Sequence, residues 1–514
     1  MNWTGFWELF LHDEKEPLLF HTGFFLFIFS IFLLAYAWVY KSARWRNIFV
    51  IGFGFYFYYK ASGIFLGLLI LTISADYLFS ILMERTRNLT ARKAVLTVAI
   101  LFSLSFLLFF KYTNFFLENA GFLAGRTFEP LDLILPIGIS FYTFQSISYL
   151  VDIYKEKIKR PTYSDYLMYM SFFPHLVAGP IVRARDFLPQ LRQQVVITKS
   201  NVDEAMYLIT KGLVKKAIIG DYVAQYSDAV FAQPDGFSGT ENLFGSLSYT
   251  LQIFCDFSGY TDMAIGVALL LGFRLGLNFD SPYKALNITD FWRRWHISLS
   301  SWLRDYIYIP MGGNRKGFIA QQWFLLATML IGGFWHGASW KFVFWGAGHG
   351  ILLILHKLFT KVWPDNTPPK PKAPLKTEVH MSKDWVDVIE ERPKFTWQML
   401  LNPIWWVLTF GAVSLLWIPF RADSMETSFQ MYEKIFSGFD VAILEYAFEI
   451  NPLLYILLGL GFLATIQPGI VKRAVRKAYC AVPLIFKLVL LVVLIQVFIQ
   501  VRSESVQPFI YFQF

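Results

Sequence analysis

Cysteine is nearly missing from this chain: there are two in 514 residues, Cys255 and Cys480, far apart and each in an apolar setting. That excludes a disulfide framework and a Cys–His metal cluster, and it reads as two buried free thiols. Charge is scarce as well, at 16% of residues against 55% hydrophobic and 19% aromatic. With a mean hydropathy of +0.45, this excludes an ordinary soluble globular protein. HExxH, short His-x-His spacing, a P-loop and a dinucleotide fingerprint are all absent, so neither a bound metal nor a bound cofactor is expected. A zinc assembled from His175, His296 and His336 is the minor alternative. The N-terminus, MNWTGFWELFLHDEKEP, is acidic and has no small-residue cleavage site, which argues against a cleaved signal peptide. No internal repeat appears, which argues mildly against an inverted-repeat transporter.

What is present is a series of apolar runs of membrane-spanning length. Residues 1–16 read as an amphipathic surface segment anchored by Trp3, Phe6, Trp7 and Leu9 to Leu11. Spans are expected at about 18–40, 47–59, 63–83, 94–110 and 133–153, with the second and third as a hairpin. The basic loops 41–46, 84–93 and 154–160 fall at every second turn. By the positive-inside rule they are cytoplasmic and the N-terminus is extracytoplasmic. The net charge of +9 is assigned to such loops and lipid contacts, not to nucleic acid.

The segment SFFPHLVAGPIVRARDFLPQL at 171–191 carries two prolines near its ends and His175. A broken or re-entrant element buried in protein is expected there. Residues 203–230 alternate apolar positions with Lys211, Lys215 and Lys216, the pattern of a helix lying in the membrane interface. Residues 244–273 are long enough to span but contain Asp256 and Asp262. Further spans follow at about 322–360, 398–419, 452–470 and 482–500. A Pro/Lys-rich polar loop at 361–396 reads as a solvated cytoplasmic linker. The expectation is one all-α polytopic membrane domain over residues 1–514, with about ten to twelve transmembrane helices.

The stretch from Asn287 to Gly350 concentrates the chemistry. It contains two Trp–His pairs, Trp295–His296 and Trp335–His336. Charged and ionisable groups are costly at membrane depth, roughly 2.5–3.5 kcal/mol for a charge at a helix centre even on the lenient scale. Thr289 and Asp290 give a helix start, after which Arg293, His296, Ser300 and Arg304 would share one face. Phe291, Trp292, Trp295 and Trp302 would anchor that helix at headgroup level, and Arg293 and Arg294 could simply meet phosphates. His336 follows an apolar run among Gly332, Gly333 and Gly337, which let backbone or substrate approach the ring. Imidazole suits proton transfer near neutral pH. The competing reading is a structural histidine bonding a neighbouring helix. His349 and His356 are assigned to packing. Asp256 and Asp262 either orient a catalytic group or form an ion pair between helices. MGGNR at 311–315 reads as a turn. Basic residues at 183–192 and 211–216 could meet either lipid headgroups or phosphates of a donor.

At SFFPHLVAGPIVR, QIFCDFSGYTDMAIG, DFWRRWHISLSSWLRDYIYIPMGGNR, GFWHGASWKFVFWGAGHG and FRADS the chain resembles the membrane-bound O-acyltransferase family, in particular its bacterial alginate O-acetyltransferase branch. These collinear motifs span about half the chain; the 361–396 insertion departs from the pattern. The resemblance implies a ring of helices, with re-entrant and interfacial elements, around a central funnel or tunnel where donor and acceptor meet from opposite faces. It places the family's membrane histidine at His336 and its second polar position at His296. It further implies acetyl-CoA as cytoplasmic donor, a bacterial inner-membrane location, and an exported polysaccharide as final acceptor, reached through extracytoplasmic acetyltransferase partners. The expected reaction is acyl transfer with His336 as general base. His296, with arginine help, would orient the acceptor or stabilise the oxyanion. Trp335, Trp295, Arg293, Arg294, Ser300, Asp256, Asp262 and His175 are the supporting candidates. A covalent acetyl-imidazole is the alternative route. A glycan or acyl-carrier transporter and a non-catalytic export scaffold are the alternative functions.

Overall fold

A computed structural model describes residues 8–13, 17–363 and 401–501. Every regular element among them is helical, as expected. The first five long helices are α1 (Gly23–Val39), α2 (Ala43–Ser62), α3 (Leu66–Arg85), α4 (Leu89–Leu107) and α5 (Thr113–Ala124). They are followed by α6 (Ile139–Tyr154) and α7 (Tyr163–Ser171), then α8 (Lys199–Leu213), α9 (Asp221–Ala232) and α10 (Gly239–Leu270). Next come α11 (Ile288–Arg294), α12 (Ile297–Leu303), α13 (Phe318–His336) and α14 (Trp340–Val362). The chain ends with α15 (Asn402–Arg421), α16 (Met425–Ser437), α17 (Ala442–Ile450), α18 (Pro452–Ile466), α19 (Gly469–Ala481) and α20 (Leu484–Val501).

The helix starts are local chemistry. Thr22, Asn88, Thr162, Thr198 and Ser424 each accept a first-turn amide. Ser238 and Glu241 complete a reciprocal capping box at α10, which satisfies two orphan donors at once.

Six helical runs among the described residues are long and apolar enough to cross a membrane, or eight if each of two bent pairs is one crossing. This is fewer than the ten to twelve spans read from hydropathy, for identifiable reasons. The expected hairpin at 47–59 and 63–83 is one 43-residue helical run, Ala43–Arg85, interrupted by a 3-10 turn at Gly63–Phe65. It is about twice the length one crossing needs. The expected span at 133–153 contains a regular helix of only 16 residues, α6. The last two expected spans belong to the sharply bent pairs α17–α18 and α19–α20, which turn by 104° and 110°. Residues 171–184 are all buried and hold only a short helix, Phe173–Leu176, before Ala184–Leu191. The broken element expected there is present. The basic loops 84–93 and 154–160 share one end, joined by Arg92–Glu156 and Arg160–Glu84, both at 2.6 Å. The 361–396 loop lies outside the described residues from 364 onward, as do Trp3, Phe6 and Trp7.

The segment 203–230 does not lie flat in an interface. With its π-helical centre at Val214–Gly220, it runs antiparallel along α10. A Cβ on Gly266 would meet Ala205 and Ile209, one on Gly259 would meet Gly212, and one on Gly245 would meet Val230. Between these, Lys216 pairs with Asp256 at 2.6 Å, and Ser227 donates to Gln252 at 2.6 Å. The partners climb one helix as they descend the other. The amphipathic pattern misled because the lysines face carboxylates on α10, not headgroups. Lys211 and Lys215 clasp Asp262 at 2.9 and 2.8 Å, and Lys216 also takes Asp221 at 2.8 Å. Asp256 and Asp262 are therefore interhelical ion pairs, whose rupture would leave a buried charge uncompensated.

Small residues allow this contact, as in membrane helix pairs generally. A Cβ on Gly212 would stand 2.5 Å from the Gly259 carbonyl oxygen. Replacing Gly212 or Gly259 by valine should therefore destabilise the fold by about 1–3 kcal/mol. Gly67→Ala, at a site with open space, should be nearly neutral. Thermal unfolding in detergent compares the three; equal midpoints would contradict the packing described.

Candidate functional site

His336 is the last residue of α13 and is buried. Its Nδ1 lies 2.6 Å from the Gly332 carbonyl oxygen, one turn back. A carbonyl can only accept, so Nδ1 carries the proton and Nε2 is the basic nitrogen of the neutral ring. Three aromatic rings surround the imidazole: Trp345 at 4.9 Å, Trp335 at 5.0 Å and Phe420 at 5.3 Å. Gly332 and Gly337 make room for the side chains of Leu303 and Phe342, and Gly333 serves backbone approach. A Cβ on Gly333 would stand 2.3 Å from the Phe342 carbonyl and 3.0 Å from Gly346, so this glycine lets α13 and α14 touch. The end of α13 is itself held from α4–α5. In the π-helical turn Leu108–Tyr112, Lys111 Nζ donates to the carbonyls of Trp335 and His336, both at 2.9 Å. The Tyr112 hydroxyl donates to Phe334 at 2.9 Å.

His296 is not on one helix with Arg293, Ser300 and Arg304. Asn287 caps α11, accepting from the Asp290 amide at 2.8 Å, and α11 stops at Arg294. Trp295 is extended and His296 has φ +42°, a left-handed conformation, before α12 begins. Such a backbone is costly for a non-glycine residue and persists only when its surroundings hold it. Asn278 does much of the holding. Its backbone carbonyl accepts from the Ile297 amide at 2.9 Å. Its Oδ1 accepts from the Ser298 amide at 3.2 Å and the Ser298 hydroxyl at 2.9 Å, and lies 3.1 Å from His296 Nδ1. An amide N–H only donates, so the atom it meets is the oxygen, and His296 Nδ1 must be the donor to it. His296 thus has the same tautomer as His336. The Trp335 ring neighbours both, 5.0 Å from His336 and 6.3 Å from His296, and is backed by Phe144 at 5.0 Å.

The structure therefore brings His296, His336 and Trp335 together, and the other candidates have partners of their own. Arg293 is exposed. Arg294 pairs with Asp290 at 2.8 Å and Asp280 at 3.7 Å. Trp295 packs on Phe291 and Trp417, at 5.6 and 5.0 Å, and Ser300 Oγ donates to the Trp295 carbonyl at 3.2 Å. Asp256 and Asp262 are committed to lysines of the α8–α9 run, so residues 211–216 are tied to carboxylates in place of headgroups or donor phosphates. Arg183 is likewise bound to Asp305 at 2.5 Å. His175 bonds Gln145 at 3.0 Å in an aromatic nest with Phe172 and Phe187. The zinc alternative has no support: among the described residues no group of three or more His, Cys, Asp or Glu could hold a metal. His349 accepts from Trp292 Nε1 at 3.3 Å, and His356 bonds Thr289 at 2.9 Å; both join helices, as expected for packing residues. Asn278 and Lys111 were missed because their partners lie 18 and more than 200 residues away. Their only sequence signal is a polar side chain in an apolar run.

A cavity of about 60 Å³ adjoins this cluster, walled by Lys111, Gly138, Ser140, Val177, Trp335 and His336 among others. It places a partly open space beside a buried histidine, in surroundings where electrostatic contacts are stronger than in bulk water.

Comparison with known proteins gives one family: MBOAT, the membrane-bound O-acyltransferase family, matches residues 10–373. A peptidoglycan O-acetyltransferase of Helicobacter pylori is 35% identical over 448 residues, covering 80% of this chain and 79% of that protein. A probable alginate O-acetylase AlgI of Pseudomonas aeruginosa is 35% identical over 429 residues, covering 82% and 75%. A teichoic acid D-alanyltransferase of Bacillus subtilis is 31% identical over 246 residues, covering 45% and 61%.

The two tautomers are directly observable. Nitrogen-15 spectra of histidine-labelled protein should show His296 and His336 protonated at Nδ1. Asn278→Ala should disturb the His296 signals and leave those of His336 in place. An Nε2–H form at either ring in the unaltered protein would contradict the assignment.

Proposed function

The chain belongs to the membrane-bound O-acyltransferase family and is a multi-pass membrane O-acetyltransferase, and we propose that it moves acetyl groups from cytoplasmic acetyl-CoA for O-acetylation of an exported polysaccharide. Alginate and peptidoglycan, the polymers named for its relatives, define the acceptor class. The proposed setting is a bacterial inner membrane, with the N-terminus outside and the basic loops 41–46, 84–93 and 154–160 in the cytoplasm. The whole chain would act as one domain, contacting membrane lipids and an extracytoplasmic acetyltransferase partner that carries the group onward.

The observation that carries the mechanism is the pair of buried histidines, each with Nδ1 engaged, flanking Trp335. In the proposed reaction His336 Nε2 takes the proton of the acceptor hydroxyl as its oxygen attacks the thioester carbonyl. The tetrahedral intermediate collapses, the C–S bond breaks, and the imidazolium returns the proton to the leaving thiolate. The Gly332 carbonyl supports the imidazolium while it lasts. His296 has an acceptor nitrogen in its neutral form, which suits holding a second O–H of the acceptor beside the one that His336 takes; donation to an oxyanion would require its imidazolium. Both roles depend on fixed geometry, since positioning itself contributes substantially to such a transfer.

Acetyl transfer from acetyl-CoA, measured with the full-length protein and its partner, tests this. His336→Ala should lower the rate by about 10²–10⁴-fold, the usual scale of general-base assistance. His296→Ala should also be strongly impaired, whereas Arg293→Ala, at an exposed position, should stay near the unaltered rate. Full activity in both histidine variants would overturn the reading.

A further inference from the structure

Lys111 is a half-buried basic group beside the proposed base, and helix capping does not require its charge. The carbonyls of Trp335 and His336 that it meets at 2.9 Å would be satisfied as well by a neutral donor, as Phe334 is by the Tyr112 hydroxyl. An ammonium carries three N–H donors, and these two bonds use two. Several lysines in the interior sit against carboxylates: Lys216 on Asp221 and Asp256, Lys215 on Asp262, Lys487 on Asp203, whereas Lys60 donates to the Leu11 carbonyl. Among the described residues no carboxylate lies within ion-pair distance of Lys111. A lone charge in an apolar interior is costly and is retained where something uses it.

The space beside it is polar in the same sense. Lys111 and His336 form one part of the cavity wall, and the start of α6 forms another. Gly138, at φ +78°, turns the chain into that helix. The amides of Phe141 and Tyr142 fold back onto its carbonyl, and Ser140 between them lines the cavity. The positive end of the α6 dipole therefore adds to the lysine. From this cavity α6 runs to Tyr154 and the basic loop 154–160, while the exposed residues 125–132 precede it. The cavity thus lies at the end of α6 away from the basic loops, the acceptor's side in the function proposed above.

We propose that this cavity is an anion subsite of the acceptor site, where Lys111 holds a carboxylate or phosphate oxygen of the acetyl acceptor beside its reacting hydroxyl. The inference rests on the acyl-transfer reading for the word acceptor, but its test does not need transfer. Lactate and lactamide share a hydroxyl and nearly the same shape, and only lactate carries an anionic oxygen. Their binding to the full-length protein in lipid nanodiscs is measured by ligand-observed NMR, with thermal midpoints confirming that each variant is folded. Lactate should bind roughly tenfold or more tightly than lactamide, the scale of one buried charge-assisted hydrogen bond. Lys111→Met should remove that preference and Lys111→Arg should keep part of it. Ile137→Trp, which fills the cavity and leaves Lys111 in place, should abolish lactate binding. His336→Ala should keep the preference while losing acetyl transfer, so a failure of the base assignment is distinguishable from a failure of the subsite. Equal affinities in the unaltered protein, or a preference that survives Lys111→Met or Ile137→Trp, would overturn the proposal.

Discussion

In hydrocarbon a polar group has no water to return to, and the architecture follows from that single condition. Each buried donor or acceptor must find its partner within the protein or cost several kcal/mol. Asp76 shows the solution without a cation: the hydroxyls of Ser103, Ser146 and Tyr166 converge on its carboxyl at 3.1, 2.6 and 3.0 Å. These side chains come from α3, α4, α6 and α7, so one carboxyl ties four helices. The α8–α9 run against α10 shows the solution with cations. Gly212 and Gly259 bring the backbones close enough for Lys215 and Lys216 to reach Asp262 and Asp256. Close packing and ion pairing there depend on each other.

The same condition explains why the histidine cluster stands at breaks in helices. A continuous helix satisfies its own backbone and leaves little polar capacity to aim at a ligand. At the end of α13 the carbonyls of Phe334, Trp335 and His336 need outside donors, and Tyr112 and Lys111 supply them. Between α11 and α12, the Arg294 carbonyl and the Ile297 amide are taken by Asp280 and Asn278. Both imidazoles are thereby mounted on backbone that is fixed from a distant part of the chain. Trp335, pressed on Phe144 and facing both rings, makes their spacing a property of packed aromatic side chains. Rotamers locked in this way lose little freedom when a substrate arrives.

Much of this was legible in the sequence. Long apolar runs gave the polytopic helical fold, prolines and His175 marked 171–191 as broken, and two Trp–His pairs in a charge-poor chain marked His296, His336 and Trp335. The errors share a cause: periodicity describes a helix without saying what faces it. The lysines of 203–230 have the spacing of an interfacial helix, yet their partners are Asp256 and Asp262 on α10. Arg293, His296, Ser300 and Arg304 have the spacing of one face, yet the helix breaks at Trp295 because Asn278 captures the backbone and side chains of the turn. Hydropathy likewise read spans at 452–470 and 482–500 from apolar content, although the helices there, α18 and α20, are each one arm of a pair bent past 100°. Lys111 and Asn278 could not be singled out, since a polar residue in an apolar run shows a cost but not its beneficiary.

The two fixed tautomers sharpen what the site can do. Gly332 and Asn278 each hold an Nδ1–H, so in the neutral state both rings offer Nε2 as an acceptor and neither offers a donor from that nitrogen. One acceptor suits the hydroxyl that must be deprotonated, and the other can hold a second O–H of the same substrate. They do not by themselves stabilise a developing oxyanion, for which fixed donors are the effective device. That need must be met by other groups or by protonation of a ring during the reaction. A proton received at Nε2 of either histidine makes it a donor at both nitrogens, with Nδ1 already bonded to oxygen. The proton taken from the acceptor thus creates, at the moment of attack, the donor that the neutral site lacks. An asparagine amide at the position of His296 would offer a permanent donor but could not receive that proton, so the choice of imidazole there bears on when charge appears in the site.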